Sequence, residues 1–185
     1  MAAYGAAEMA NAFRTVRKNT VQIAEDIPES QYNFVAASGT RSVGDLLKHI
    51  AVAPTLYDDM HRVKRVTTLK GYDFAAAMGP MHEAEKKSLK KAEIVALLKS
   101  DGERFASWLA SLTPEVLAEI YTDPMGQNPR TRFESLLSPK EHEMHHRAQL
   151  MLIERMLGIV PHLTRQMQDR MRAHAAAAAG ATSAA

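Results

Sequence analysis

The chain has 185 residues, 46% of them hydrophobic and 24% charged, with a formal net charge of +2; this fits one globular domain that buries its core without metal or disulfide props. Acids and bases are interleaved nearly everywhere, so no basic stripe exists to neutralise a run of phosphates, and nucleic acid is not expected as a partner. Cysteine is absent, the opening residues lack the basic start and apolar stretch of a secretory signal, and the apolar runs are too short to span a bilayer; no disulfide, no membrane partner and a cytoplasmic location are expected.

In chain order, Met9, Phe13, Val16, Thr20, Ile23 and Ile27 recur at spacings of three or four, which predicts an amphipathic helix over residues 4–26, stopped near Pro28. Ser42 with Asp45 forms a weak capping box, and the stripe behind it predicts a second helix from 43 to about 61, bent at Pro54. Between Arg62 and Lys90 the pattern is broken by Gly71, Gly79 and Pro80, so this stretch reads as a long crossover with room for one short helix. Ile94, Leu97, Leu98, Phe105, Trp108 and Leu112 mark a third helix, followed by a turn-rich connection over 122–130.

Two start signals precede the next helix: Thr131 with Glu134, and Ser138-Pro139-Lys140-Glu141 with proline at the first helical position. The second places the main segment over about 139–157, closed by Gly158 and Pro161, before a short final helix over 162–172. No segment alternates convincingly with period two. The expected fold is all-α: a four-helix bundle over residues 1–174 with a long crossover connection and a short C-terminal helix, then an Ala-rich tail over 175–185 that either extends that helix or frays.

The segment His142-Glu143-Met144-His145-His146 fits both the HExxH pattern of zinc proteases and two ligand histidines one helical turn apart. At about 100° per residue, His142 and His146 share the stripe of Leu150, Ile153 and Leu157, while Lys140, Glu143, Arg147 and Glu154 form a charged stripe expected to face solvent. His49 lies mid-stripe on the second helix, among Leu46, Ala53, Leu56 and Met60. Three such histidines either satisfy their hydrogen bonds separately in the core or converge on one ion, as catalytic three-imidazole sites with an open position do. The protease reading is disfavoured: Glu143 would have to face that ion, and Gln149 and Leu152 stand where the metzincin continuation has Gly and His.

Other residues carry weaker signals. His145 sits at the stripe's edge and is not counted as a ligand; His61, His82, His162 and His174 are expected in solvent. Asp45 and Asp59 flank the His49 stripe as candidate acceptors for an imidazole N–H. Arg62, Lys64, Arg65 and Lys70 read as a solvated loop, with capture of an anionic substrate as the functional alternative. Met144 and Met151 fall opposite the histidines, which fits a homodimer interface or packing by the final helix through Leu163, Met167 and Met171.

The segment Leu46-Leu47-Lys48-His49-Ile50-Ala51, followed far downstream by His142-Glu143-Met144-His145-His146-Arg147-Ala148-Gln149-Leu150, resembles the DinB family. The lead through Pro28-Glu29-Ser30-Gln31-Tyr32-Asn33-Phe34 and Arg41-Ser42-Val43-Gly44-Asp45 is similar as well, so the resemblance covers most of the chain. It implies a four-helix bundle, often dimeric, that binds a divalent metal on His49, His142 and His146 with a fourth position open. Zinc or nickel is the foremost expectation, and three imidazoles also accept iron, cobalt or manganese. The implied activity is that of a metal-dependent hydrolase or a transferase using a low-molecular-weight thiol, on a small-molecule substrate; a non-catalytic metal-binding or stress-response protein is the alternative. Ala148, where the family often has Gly, and Pro139, just before the ligand pair, depart from the pattern.

Overall fold

The computed structural model describes residues 4–182. In order the elements are α1 (Ala6–Asp26), a 3-10 turn (Glu29–Gln31), α2 (Val43–Val52), α3 (Pro54–Tyr57), a π-helical turn (Asp58–Val63), α4 (Phe74–Glu85), α5 (Lys91–Ala110), α6 (Pro114–Ala118), β1 (Ile120–Tyr121), β2 (Arg130–Thr131), α7 (Arg132–Met156) and α8 (His162–Thr182). Helices α1, α2, α5 and α7 pack against one another as the bundle, with α4 laid over α2 in the crossover. The strands pair antiparallel, Ile120 with Thr131 and Tyr121 with Arg130; two residues each are too few to show a periodicity.

Two apolar clusters fill the bundle. One gathers Ile23, Ile27, Leu47, Ile50, Leu98 and Leu150; the other gathers Met9, Phe13, Phe105, Leu109, Leu117 and Leu136. Between them on α1 sits Arg17, 4% exposed. Its Nε donates to both carboxylate oxygens of Glu143 on α7 at 3.0 Å, its Nη1 to the Leu98 carbonyl on α5 at 2.9 Å, and its Nη2 to the Ile50 carbonyl on α2 at 3.1 Å. One guanidinium thus joins all four bundle helices.

Two local features make room for it. Proline at position 54 has no N–H, so the Ile50 carbonyl four residues earlier lacks its helical donor, and Arg17 supplies one. At Gly102 an added Cβ would lie 2.6 Å from Arg17 Cγ, so glycine in mid-α5 lets the arginine stem cross the helix.

The charged stripe on the last bundle helix is therefore not a solvent face, and the solvent position expected for Glu143 is corrected: it is 1% exposed. The wheel paired it with Arg147 because a partner on α1 leaves no trace in local spacing. Glu154 on the same stripe is also fully buried, and burial with the charge of Asp26 pushes its carboxyl up to about 7. The start of α7 differs too. Thr131 is the N-cap, with Glu134 Nα donating to its hydroxyl at 3.1 Å and Thr131 N donating to Glu134 Oε2 at 2.7 Å. Pro139 is consequently internal to α7.

The crossover holds a 12-residue helix, α4, whose Gly79-Pro80 pair weakened its pattern. Lys48 on α2 closes its C-terminus, donating to the carbonyls of Glu85 at 2.6 Å and Lys87 at 2.9 Å. The final helix is longer than the reading over 162–172: α8 continues to Thr182 through the alanine-rich stretch, alanine being the strongest helix former, and residues 183–185 lie outside the described residues. Met144, Met167 and Met171 are exposed, whereas Met151 packs against the core.

His61 is 3% exposed, not solvent-facing as expected. The π-helical turn rotates it inward, where Arg132 Nη1 donates to its Nδ1 at 3.0 Å, so its Nε2–H donates to Ser135 Oγ at 2.8 Å. That tautomer leaves no lone pair toward Ser135, so the pair is a structural contact and not a nucleophile with its base. His162 is likewise buried, its Nε2–H donating to Asn19 Oδ1 at 3.2 Å; only His82 and His174 of the four expected outside are exposed.

The Arg17 arrangement makes two expectations. Glu143→Ala leaves a buried guanidinium charge uncompensated and should cost about 3–5 kcal/mol. Gly102→Ala, which helix propensity alone says stabilises by roughly 1 kcal/mol, should instead lower the urea midpoint through the clash with Arg17; a raised midpoint contradicts the packing.

A third expectation concerns pH. Burial, reinforced by the Arg132 charge, lowers His61 from 6.5 to about 4 in the folded chain. Between those values the unfolded chain takes up the proton and the folded chain does not, so this contribution to stability is complete above pH 6.5 and is lost as pH falls toward 4. His61→Gln, which keeps one acceptor and one donor, should flatten the fall in unfolding free energy between pH 7 and pH 5; an unchanged slope excludes the assignment.

Candidate metal centre

Helix α2 begins at Ser42, whose hydroxyl accepts from Asp45 N at 3.2 Å, and runs far enough before the Pro54 break to carry His49 on its inward face. Helix α7 carries His142 and His146 one turn apart on the face turned to α2. The two faces meet: His49, His142 and His146 bring ring nitrogens within 4.8 Å of one another, the only group of three or more His, Cys, Asp or Glu donors so arranged among the described residues.

Hydrogen bonds on the outer nitrogens decide which way the lone pairs point. His49 Nδ1 lies 2.6 Å from Glu85 Oε1, a carboxylate oxygen that accepts, so the proton is on Nδ1 and the lone pair on Nε2. His146 Nδ1 donates to Gln149 Oε1 at 3.0 Å, and the amide is oriented because its Nε2 donates to His145 Nε2 at 3.2 Å. Both inner Nε2 atoms therefore present lone pairs, and each sits 3.1 Å from His142 Nε2. A single imidazole nitrogen can donate to one of them at most, which leaves lone pair facing lone pair. A cation at the common centre removes that conflict, and the two 3.1 Å separations are close to the roughly 3.3 Å edges of a tetrahedral site with metal–nitrogen bonds of about 2.0–2.1 Å. The donor set fits a divalent metal.

Both rings on α7 are held toward the neutral form. Burial first, then the charges of His146, His49, His145 and Arg41, lower His142 to about 4. His146 is lowered chiefly by burial, against the raising effect of its Gln149 hydrogen bond, and the charges of His49, His145 and Arg41 lower it further. Neutral imidazole is the form that binds metal, so no proton has to leave either ring near neutral pH.

Of the candidate acceptors flanking His49, neither reaches it. Asp45 holds Ser42 and Lys48, while Asp59 accepts from the Tyr72 hydroxyl at 2.5 Å and pairs with Lys64. Glu85 takes that role from the end of α4, a helix that local patterning did not outline. The crossover cations are mostly spent: Arg62 pairs with Asp58, Lys64 with Asp59 and Arg65 with Glu119. His145 is exposed and lies outside the group of three.

Two cavities border the triad. One of about 390 Å³ is bordered by His146, Gln149 and Arg41; the other, about 160 Å³, is lined by His49 and His142 with Tyr57, Met78, Met81 and Pro139. Among the described residues no fourth His, Cys, Asp or Glu joins the three.

Protein purified without a metal column should contain near-stoichiometric divalent metal by elemental analysis, and His146→Ala should lose it. Glu85→Gln, which leaves all three ligands in place, should weaken metal binding by roughly 10–100-fold. Unaltered affinity in that variant would remove Glu85 from the site.

Comparisons with known proteins bear on the fold and the family. No curated protein matches the chain in sequence. Among solved structures, YfiT from Bacillus subtilis, described as "a probable metal-dependent hydrolase with an unusual four-helix bundle topology", superposes with a TM-score of 0.64 at 18% identity, over 86% of this chain and 91% of that one. A DinB-like protein, YjoA, from the same organism superposes with a TM-score of 0.60 at 22% identity, over 82% of this chain and 92% of that one. At such identities the likeness shows a shared fold. The sequence profile of the DinB superfamily matches residues 12–150, which takes in all three histidines, and the chain belongs to that superfamily.

Proposed function

We propose that this protein is a divalent-metal-dependent enzyme acting on a small molecule, as a hydrolase or as a transferase that uses a low-molecular-weight thiol. The observation that carries the reading is the convergence of two oriented Nε2 lone pairs, on His49 and His146, upon His142 Nε2 at 3.1 Å each. When bound, a divalent ion supplies Lewis acidity, which lowers the pKa of water or a thiol beside it. The chain's own groups do the rest: Glu85 and Gln149 hold the ring tautomers, and the cavity bordered by His146 offers a partly enclosed place for the substrate.

Hydrolysis is the first choice, supported by the description of YfiT as a probable metal-dependent hydrolase. The chain has no cysteine, so any thiol would come from solution. A cytoplasmic setting, where small thiols are kept reduced, suits either chemistry. Three ligands with a free side and an adjoining cavity favour catalysis over simple metal storage, since structural sites of this kind close with a fourth protein ligand.

Metal-loaded protein should turn over members of a panel of small esters, amides and thiol acceptors, and His142→Ala should reduce that turnover by about 100-fold or more. Full metal occupancy without turnover across the panel would leave a metal-binding protein and reject the enzyme.

A further inference from the structure

We propose that the cavity beside His146 receives a small organic carboxylate with an apolar body, held by Arg41. The inference deepens the functional reading above, and rests on it for the reaction though not for the recognition.

The cavity, about 390 Å³, lies in the lower range of small-molecule sites. Ala36, Leu46, Leu152 and Ile153 give it apolar walls, which suit an apolar body. Its polar groups are mostly occupied elsewhere. Gln149 uses both ends of its amide on His146 and His145, and the Thr40 hydroxyl donates to the Ala37 carbonyl at 2.7 Å.

Arg41 is different. Its side chain is 45% exposed, and among the described residues the one carboxylate within ion-pair distance is Glu85 Oε2 at 3.9 Å, beyond hydrogen-bond range, with Asp45 a charge neighbour farther off that Lys48 already pairs. The other oxygen of Glu85 is bonded to His49 Nδ1 at 2.6 Å. Arg41 therefore stands one carboxylate away from the histidine triad, with its N–H donors unspent.

A guanidinium presents a planar fork that matches a carboxylate with two parallel hydrogen bonds, stronger than neutral ones. The single free fork and the apolar walls select a monoanionic carboxylate over a phosphate dianion, which calls for more donors than this cavity offers. Charge agrees: Arg41, Lys48 and a divalent ion outweigh Glu85 and Asp45, so an anion brings the region nearer neutrality. The inner chamber of about 160 Å³ has no cationic lining residue and is no larger than a benzene-sized group needs, so the carboxylate belongs on the Arg41 side.

The test is calorimetric titration of the full chain with butyrate, hexanoate and 3-phenylpropionate, each beside its primary amide, in metal-loaded and in chelator-treated protein. At least one acid should bind roughly tenfold or more tightly than its amide, Arg41→Gln should erase that preference, and Arg41→Lys should keep part of it. Position 41 is exposed, and circular dichroism checks that both variants fold. A preference that survives Arg41→Gln, equal binding of acids and amides, or no binding by any probe at millimolar concentration overturns the proposal. Metal content, read separately, keeps the two readings apart. An Arg41-dependent preference in protein that takes up no metal would sink the metal reading alone, while metal uptake without the preference would sink this inference alone.

Discussion

The bundle is organised around one buried guanidinium. Arg17 leaves α1 and reaches a carboxylate on α7 and carbonyls on α2 and α5, so four helices share a single rigid donor group. A charge placed there is tolerable only because a carboxylate and two carbonyls replace the water it gives up. The geometry also sets the site. Ile50 is the residue after His49 and Glu143 is the residue after His142, so the bonds that fix the rotation of α2 and α7 turn the neighbouring histidines toward each other. Apolar packing alone would bring the helices close without choosing that rotation so narrowly.

Two departures from good helix chemistry serve the same arrangement. Pro54 ends α2 and frees the Ile50 carbonyl, and Gly102, within the unbroken α5, opens a passage for the arginine stem. Each costs local stability that the Arg17 network offsets. Further along, His61, Ser135, Arg132 and Glu119 form a second polar network that ties the end of the bent helix to the start of α7. The interior is thus apolar in two clusters and polar at the junctions that fix register.

The crossover contributes more than a connection. Lys48, one residue before His49, closes the end of α4, and Glu85 from that end bonds His49. The helix that carries His49 and the helix that orients its ring are therefore held by neighbouring side chains. Arg41, next to the start of α2, is the one Arg or Lys among the residues lining the cavity beside His146.

The sequence by itself determined the helical class, the break at Pro54, the long crossover and the three histidines, because amphipathic spacing and helical breakers act within a few residues. The inward direction of His49, His142 and His146 was legible for the same reason: a wheel shows which residues share a face. A wheel does not show what lies opposite. Glu143 and Glu154 read as a solvent stripe, His61 and His162 as surface residues, and Glu85 did not stand out, since each is settled by a partner far away in the chain. Only the tertiary structure decided those burials, because the free energy of a buried charge depends on the groups that meet it across the bundle and not on its own helix.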